Sequence, residues 1–215
     1  MIIGINGKIG AGKDTVGEII QKLCLTNTNQ NYEIKKFAGK LKQIASLLTG
    51  IAVEKFEDQE FKKTLLGDEW GTVKENVLNA IPVFEDVKFN HMMSVRELLQ
   101  KLGTEAMRDR LHENVWVNAL FADYKLTRPN SSLGDLSLTM PNWIITDMRF
   151  PNEMEAVKER DGITIKVVRP GTATGNHPSE IALDDAKFDY EIINDGTIEE
   201  LVKKVKDILV LKKLI

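Results

Sequence analysis

The sequence has little of three things: cysteine, excess charge of one sign, and long apolar runs. Its 215 residues contain a single cysteine, Cys24, which excludes an internal disulfide and a multi-cysteine zinc site. Twenty-nine Lys and Arg against 32 Asp and Glu leave a net charge of -3, too balanced for a nucleic-acid coat or a polybasic membrane anchor. No apolar run reaches the roughly 18 residues of a membrane-spanning helix. These absences predict a cytoplasmic globular protein whose partners are neither membranes nor nucleic-acid polymers.

What the sequence does have is an alternation of β-branched runs and amphipathic helical patterns. After the apolar run that opens the chain, Val16, Ile19, Ile20 and Leu23 recur at the spacing of one helix face, and this first helix is expected to end before Thr26. Such alternation is typical of a parallel α/β sheet flanked by helices, which we predict as one domain over 1–215. The predicted elements are strands at 1–6, 33–37, 143–146, 163–168 and 190–193, helices beginning near Lys13, Leu41, Ser94, Val115, Pro151 and Thr197, and loops at 127–142 and 172–189.

The most specific motif is Gly7-Lys-Ile-Gly-Ala-Gly12-Lys13, which has the glycine and lysine spacing of a phosphate-binding P-loop. It lies between a predicted strand and a predicted helix, as that motif requires. Gly7, Gly10 and Gly12 let the backbone around Ala11 come close enough to direct amide N–H groups at a β-phosphate. Lys13 can bridge β- and γ-phosphates, so we predict a nucleotide-binding loop with a catalytic lysine.

The loop departs from the usual pattern at one position. Asp14 follows the lysine, where a Ser or Thr hydroxyl usually contacts Mg²⁺, and Thr15 comes one residue later. Asp14 could bind Mg²⁺ directly or through water, or Thr15 could supply the hydroxyl. Asp14 could instead only favour the positive end of the helix. The sequence leaves these alternatives open.

Asp147 and Arg149 directly follow the strand predicted at 143–146. In an open α/β sheet, ligands bind outside the carboxyl ends of the strands. The carboxylate could order Mg²⁺ or a substrate hydroxyl, and the guanidinium could hold a phosphate in a bidentate fork. The alternative is a surface salt bridge without a role in function.

Other charged residues become candidates only if they converge on the P-loop. Lys42 lies on the second predicted helix, Arg96 in a capped first turn, and Arg169 at the end of the fourth strand. In His177-Pro-Ser-Glu180, the histidine and the glutamate could contact a lid or pair locally. The Asn-Lys-x-Asp motif of regulatory GTPases is absent from the sequence, which favours a small-molecule kinase.

Several segments carry a family resemblance, in order along nearly the whole chain. They are Gly-Lys-Asp-Thr at 12–15, Ala-Gly-x-x-Lys at 38–42, Ser-Val-Arg at 94–96, Leu-Gly-Thr-Glu at 102–105, Trp116, Asp-x-Arg at 147–149, Val-Arg-Pro-Gly at 168–171, His-x-Ser-Glu at 177–180 and Asn-Asp-Gly at 194–196. Together they resemble the deoxynucleoside monophosphate kinases of tailed bacteriophages.

The resemblance implies a nucleoside-monophosphate-kinase-like fold that transfers the γ-phosphoryl group of ATP, with Mg²⁺, to a deoxynucleoside monophosphate. It also implies a lid near 170–189 and a substrate-covering insertion near 51–93. Lys13, Arg96, Asp147 and Arg149 would be the catalytic residues. ATP would be bound by Gly7, Gly10, Ala11, Gly12, Lys13, Asp14, Thr15, Arg169, Asn194 and Gly196. The monophosphate pocket would contain Lys42, Arg96, Gly103, Thr104, Trp116, Asp147, Arg149 and Glu153.

Two other functions stay open on the sequence. A P-loop kinase similar to dephospho-coenzyme A kinase would differ in its acceptor, and a regulatory protein would bind ATP without acceptor-dependent ADP release. The preferred base depends on pocket shape, which the sequence does not locate. A homodimer is plausible only because twofold homodimers are the commonest oligomers of soluble proteins. If the protein is phage-encoded, it would act in the host cytoplasm.

Overall fold

The computed structural model describes residues 1–71, 91–127, 138–172 and 178–215. The chain divides into two compact units, the first formed by Met1–Phe37 with Trp116–Ile215 and the second by Ala38–Val115. The single domain predicted over 1–215 stays a prediction. The helices are α1 (Lys13–Thr28), α2 (Gly39–Thr49), α3 (Val95–Gln100), α4 (Val115–Phe121), α5 (Pro151–Lys158), α6 (Pro178–Ile181) and α7 (Ile198–Leu211).

The first unit contains a five-stranded sheet with the order β2-β3-β1-β4-β5. All four strand pairs are parallel, which confirms the predicted α/β class and fits a P-loop kinase-like fold. β1 is central and pairs with β3 on one side and with β4 on the other. The strands are β1 (Ile2–Gly7), β2 (Tyr32–Lys35), β3 (Asn142–Ile145), β4 (Ile163–Val168) and β5 (Tyr190–Ile193).

Helices cover both faces of this sheet. Alternate residues of β1 point to opposite faces, so β1 packs against helices on both sides. Ile3 and Ile5 belong to a buried cluster that includes side chains of α1 and α7. Gly4, between them, faces α5, since an added Cβ there would lie 3.2 Å from Val157. Burial on both faces explains why β1 is an almost continuous apolar run.

The end of α1 and the region at 172–189 differ from the sequence predictions. α1 continues to Thr28 instead of ending before Thr26. The hydroxyls of Thr26 and Thr28 donate to carbonyls four residues earlier, and Asn29 ends the helix in the left-handed conformation with φ 57°. The polar composition there therefore marks a hydrogen-bonded last turn. The region predicted as a loop at 172–189 contains the short α6.

The second unit is built around α2 and α3. Its core contains Ala45, Phe56, Leu66, Val95 and Leu98. After α3 the helix continues with π-helical hydrogen bonding over Lys101–Leu111, where Gly103 lies against Leu41 of α2.

The insertion predicted near 51–93 lies within the second unit. Its described part contains three 3₁₀ helices, at Val53–Glu57, Phe61–Lys63 and Asp68–Trp70. Residues 72–90 of the insertion and 173–177 of the predicted lid lie outside the described residues.

In the described ranges, no helix is both long enough and apolar enough to cross a bilayer.

The core of the sheet makes a stability prediction. Ile165 in β4 is 1% exposed, whereas Ile198 at the start of α7 is 51% exposed. Ile165→Ala should lower the free energy of unfolding by about 2–5 kcal/mol, since it removes buried methylenes and leaves a cavity. Ile198→Ala, the matched control, should cost less than about 1 kcal/mol. Urea unfolding of both variants measures the difference, and equal losses would contradict the assigned core.

Candidate functional site

The carboxyl ends of four neighbouring strands place several predicted site residues of the first unit along one edge of the sheet. β1 leads into the P-loop, β3 into Thr146 and Asp147, β4 into Arg169, and β5 into Asn194. Beyond β1 the chain crosses to β2 on one side, and beyond β3 it crosses to β4 on the other. Such a reversal of direction creates a crevice at the carboxyl edge, where α/β proteins bind ligands.

The P-loop is fixed by close contacts with β4 and with the residue after β5. A Cβ at Gly7 would lie only 2.4 Å from the Val167 backbone oxygen, so a side chain at Gly7 would overlap β4. Gly12 precedes α1 at φ 97°, a conformation that favours glycine. Asn194 Nδ2 donates to the Ala11 oxygen at 2.9 Å. Asn194 therefore stabilises the conformation of the P-loop through this hydrogen bond.

Lys13 is the first residue of α1, and its side chain reaches back to the P-loop backbone. Its Nζ donates to the Lys8 backbone oxygen at 2.8 Å. Burial, and next the nearby charge of Arg149, lowers the pKa of Lys13, while Asp14, Glu180 and Asp147 act in the opposite direction. The lysine therefore lies among four charged side chains, in a partly buried position where a phosphate could replace the carbonyl.

Asp14 contacts two residues that directly follow strands, Lys36 after β2 and Thr146 after β3. Thr146 Oγ1 donates to Asp14 Oδ1 at 2.7 Å, and Lys36 Nζ lies 3.3 Å from the same oxygen. Burial would raise the pKa of Asp14, but the Thr146 hydrogen bond and the Lys36 charge outweigh it, so the pKa lies below its usual value. The carboxylate is exposed and ionised at neutral pH, and the neighbouring Thr15 is also exposed.

A metal ion at this site would take few ligands from the protein. Among the described residues, no group of three or more His, Cys, Asp or Glu side chains could hold a metal ion. Mg²⁺ is commonly bound by one or two protein oxygens together with substrate phosphates and waters. The exposed Asp14 carboxylate and Thr15 hydroxyl fit that pattern.

The segment after β3 runs beside the carboxyl end of β1. Asn6 Nδ2 donates to the Met148 oxygen at 2.8 Å, and the Phe37 amide donates to Asp147 Oδ1 at 2.7 Å. Asp147 thus holds the turn after β2. Arg149 Nη1 donates to Glu180 Oε1 of α6. The charge of Arg149 also acts on Lys13, so the structure brings Arg149 and the P-loop lysine close to each other.

The remaining predicted residues of the first unit have contacts that shape its loops and core. Glu153 is 3% exposed, and its Oε2 accepts from the Arg149 and Phe150 amides at 2.7 and 3.1 Å. It therefore caps α5 and fixes the Arg149 backbone. Trp116 is buried, and Arg169 is exposed at the end of β4. Gly196 lies against Glu200. Glu200 and Thr197 form the predicted capping box at the start of α7.

The other four predicted residues belong to the second unit. Lys42 is 8% exposed and its Nζ lies 2.5 Å from Glu57 Oε1. Arg96 lies in the first turn of α3, and its Nη2 donates to Gln59 Oε1 at 3.3 Å. Ser94 caps α3, as predicted. Gly103 and Thr104 lie in the π-helical segment.

The sequence analysis missed three residues of the site: Lys8, Lys36 and Thr146. Each directly follows the carboxyl end of a strand: Lys8 follows β1, Lys36 follows β2 and Thr146 follows β3. Their positions near the carboxyl ends of predicted strands could have identified them as residues at the carboxyl edge of the sheet. Asp184, which pairs with Lys8, follows α6 in the region predicted as a loop and carried no such signal.

Comparison with known proteins gives the family. Residues 51–205 match the family described as deoxynucleotide monophosphate kinase. The chain belongs to this family. It is 25% identical to the deoxynucleoside-5′-monophosphate kinase of Escherichia phage T5, covering 90% of this chain and 89% of that protein. It is 27% identical to the deoxynucleotide monophosphate kinase of Enterobacteria phage T4, covering 97% of this chain and 98% of that protein.

The family match and the P-loop are separate observations, since the matched range begins at residue 51, after the motif. The deoxynucleotide monophosphate kinase of Escherichia phage RB69 is 31% identical over 121 residues, covering 56% of this chain and 46% of that protein. The chain is therefore a kinase, and the resemblance inferred from its motifs is confirmed.

The hydrogen bond between Thr146 and Asp14 makes a titration prediction. Thr146→Val should raise the pKa of Asp14 toward its ordinary 3.8, because the bond that favours the carboxylate is lost. Thr146→Ser, which keeps the hydroxyl, is the control. Carboxyl ¹³C shifts of the metal-free protein, followed against pH, measure both. An unchanged pKa in Thr146→Val would contradict the assigned bond.

The sign of the effect on stability follows from the same shift. A lowered folded-state pKa means that Asp14 stabilises the fold above its unfolded pKa of 3.8, and that this contribution is lost as the pH falls through the folded value. The Thr146→Val protein should therefore lose less stability than the parent over that acidic range.

The contact between the P-loop and β4 makes a second prediction. Gly7→Ala places a methyl group 2.4 Å from the rigid Val167 backbone oxygen. It should lower the free energy of unfolding by about 1–3 kcal/mol, as overpacking does. Gly39→Ala, where an added Cβ meets nothing within 4 Å, should be neutral or stabilising by up to about 1 kcal/mol. Urea unfolding compares the two, and equal effects would refute the close approach.

Proposed function

We propose that this kinase transfers the γ-phosphoryl group of ATP, in the presence of Mg²⁺, to a deoxynucleoside monophosphate, giving ADP and the deoxynucleoside diphosphate. The observation that carries the proposal is the P-loop at the carboxyl edge of a parallel sheet, with Lys13 and Arg149 beside each other. The family membership supports the choice of acceptor.

The reaction requires alignment and charge neutralisation more than covalent chemistry. An oxygen of the acceptor phosphate attacks the γ-phosphorus, the bond to the bridging β,γ-oxygen breaks, and ADP leaves with that oxygen. Lys13 would exchange the Lys8 carbonyl for β- and γ-phosphate oxygens, which restores its hydrogen bond. Arg149 would neutralise charge that develops on the transferred group.

We propose that Asp14 and Thr15 would hold Mg²⁺ through their side-chain oxygens. When bound, Mg²⁺ supplies positive charge at the phosphate oxygens. Thr146 and Lys36 both contact Asp14 Oδ1 and favour the ionised carboxylate. Lys36 would then lie close enough to add its own charge to that region.

The roles of the other residues are proposals that rest on the family resemblance. Asn194 and Gly196 would lie near the adenine, and Arg169 on the lid side. The acceptor would be bound by Lys42, Arg96, Gly103, Thr104, Trp116, Asp147, Arg149 and Glu153. The contacts of Asp147 and Glu153 support a part in shaping the loops around Arg149.

We also propose that the enzyme acts in the cytoplasm, as a homodimer. The single cysteine supports a reducing compartment. The frequency of twofold homo-oligomers supports the dimer. Light scattering of the purified protein tests the oligomeric state, and a monomer mass would refute it.

The test of the function is ADP production from ATP and Mg²⁺ with dAMP, dGMP, dCMP, dTMP, their ribose counterparts and dephospho-coenzyme A, against a control without acceptor. We expect release stimulated by deoxynucleoside monophosphates. Stimulation by dephospho-coenzyme A alone would identify a different kinase. ATP binding without stimulation by any acceptor would identify a regulatory protein.

Lys13→Ala tests the residue on which the mechanism depends most. The variant should lose at least about 100-fold in kcat, because it lacks a preorganised charge at the transferred phosphate. Lys22→Ala is the matched control, since Lys22 is an exposed lysine of the same helix. Steady-state kinetics and circular dichroism are measured for both. A folded Lys13→Ala protein with normal turnover would refute the mechanism.

A further inference from the structure

The guanidinium of Arg149 is held by a carboxylate from another part of the chain. Arg149 Nη1 donates to Glu180 Oε1, where the Glu180 side chain is 9% exposed and that of Arg149 is 31% exposed. An ion pair shielded in this way is screened by salt less than a pair on the open surface. The contact therefore restrains the guanidinium more than a surface salt bridge would.

Glu180 is itself anchored to the P-loop through its backbone. Lys8 Nζ donates to the Glu180 oxygen at 2.5 Å and to Asp184 Oδ1 at 2.5 Å. Glu180 thus contacts two segments. Its backbone carbonyl accepts from Lys8 in the loop after β1, and its carboxylate accepts from Arg149 in the segment after β3. A shift of α6 would move Arg149 relative to the P-loop.

The charges around Lys13 show why this anchor is needed. Burial is the main cause that lowers the pKa of Lys13, and the charge of Arg149 is the next, so the two cations repel. Glu180 acts on Lys13 with the opposite sign. The carboxylate beside Arg149 therefore offsets part of the repulsion between the two cations.

We propose that Glu180 is a positioning residue for phosphoryl transfer, whose carboxylate holds the Arg149 guanidinium beside the P-loop before nucleotide binds. An arginine has five N–H donors and the contact uses one nitrogen, Nη1, so donors remain for a phosphate oxygen. A charge fixed in advance loses less freedom when the reaction occurs. The proposal rests on the proposed function and adds to it a residue of α6 that would act through Arg149.

The first test is the kinetics of Glu180→Gln, which keeps the shape of the side chain and removes its charge. We expect kcat to fall by about 10-fold or more, with a smaller change in KM for ATP, because a misplaced arginine is missed most in the transition state. Glu180→Asp, which keeps the charge, should recover part of the loss. Glu18→Gln, an exposed glutamate of α1, is the matched control and should behave as the parent.

A double-mutant cycle with Arg149→Ala separates positioning from a general structural effect. If Glu180 acts through Arg149, Glu180→Gln should reduce kcat little further in the Arg149→Ala protein. Additive losses would overturn the proposal. So would a Glu180→Gln protein with parental kcat, or one with increased kcat/KM, since the carboxylate would then be a competitor of the phosphate. Thermal unfolding of each variant checks that the fold is kept.

Failure of the proposed function can be told apart from failure of this inference. A parent protein without acceptor-dependent ADP release would refute the function only. The position of Arg149 is then read from the NMR signal of its Nε–H group in the nucleotide-free protein. The signal should indicate an ordered side chain in the parent and in Glu18→Gln, and a mobile one in Glu180→Gln. An equally ordered signal in Glu180→Gln would overturn the inference.

Discussion

The pairing of β1 between β3 and β4 is the constraint on which the site depends. Because β1 is central and parallel to both neighbours, its carboxyl end opens into the crevice where the direction of the chain reverses. The P-loop begins at that end. Its backbone lies against β4 so closely that Gly7 has no room for a side chain. The same packing that buries the sheet therefore also fixes the loop.

Positive charge is gathered at this edge and balanced locally. Lys13, Lys8, Lys36 and Arg149 come from the ends of β1, β2 and β3 or from the start of α1, and each contacts an oxygen of the protein. Those oxygens belong to backbone carbonyls and carboxylates, the same chemistry that a nucleotide's phosphates offer. These four cations are therefore each paired with an oxygen of the protein itself.

The residues near the site divide by what they touch. Glu153, Asp147 and Asn194 accept from or donate to backbone groups of the loops, so their part in the geometry is to fix those loops. Lys13 and Arg149 carry full charges in partly buried positions. In the second unit, Lys42 is paired with Glu57.

By itself, the sequence determined the strands, most helix starts and the P-loop, because these depend on short-range patterns. Apolar spacing defined α1, the Ser94 and Thr197 caps defined the starts of α3 and α7, and glycine spacing defined the loop. The last turn of α1 was missed, since the hydrogen bonds that extend it come from threonines that also suit a turn. Only the tertiary structure decided which distant side chains meet: Asp14 with Thr146, 132 residues apart, and Arg149 with Glu180. Such pairs depend on the order of strands in the sheet and on the path of the loops, and no local pattern of residues encodes either.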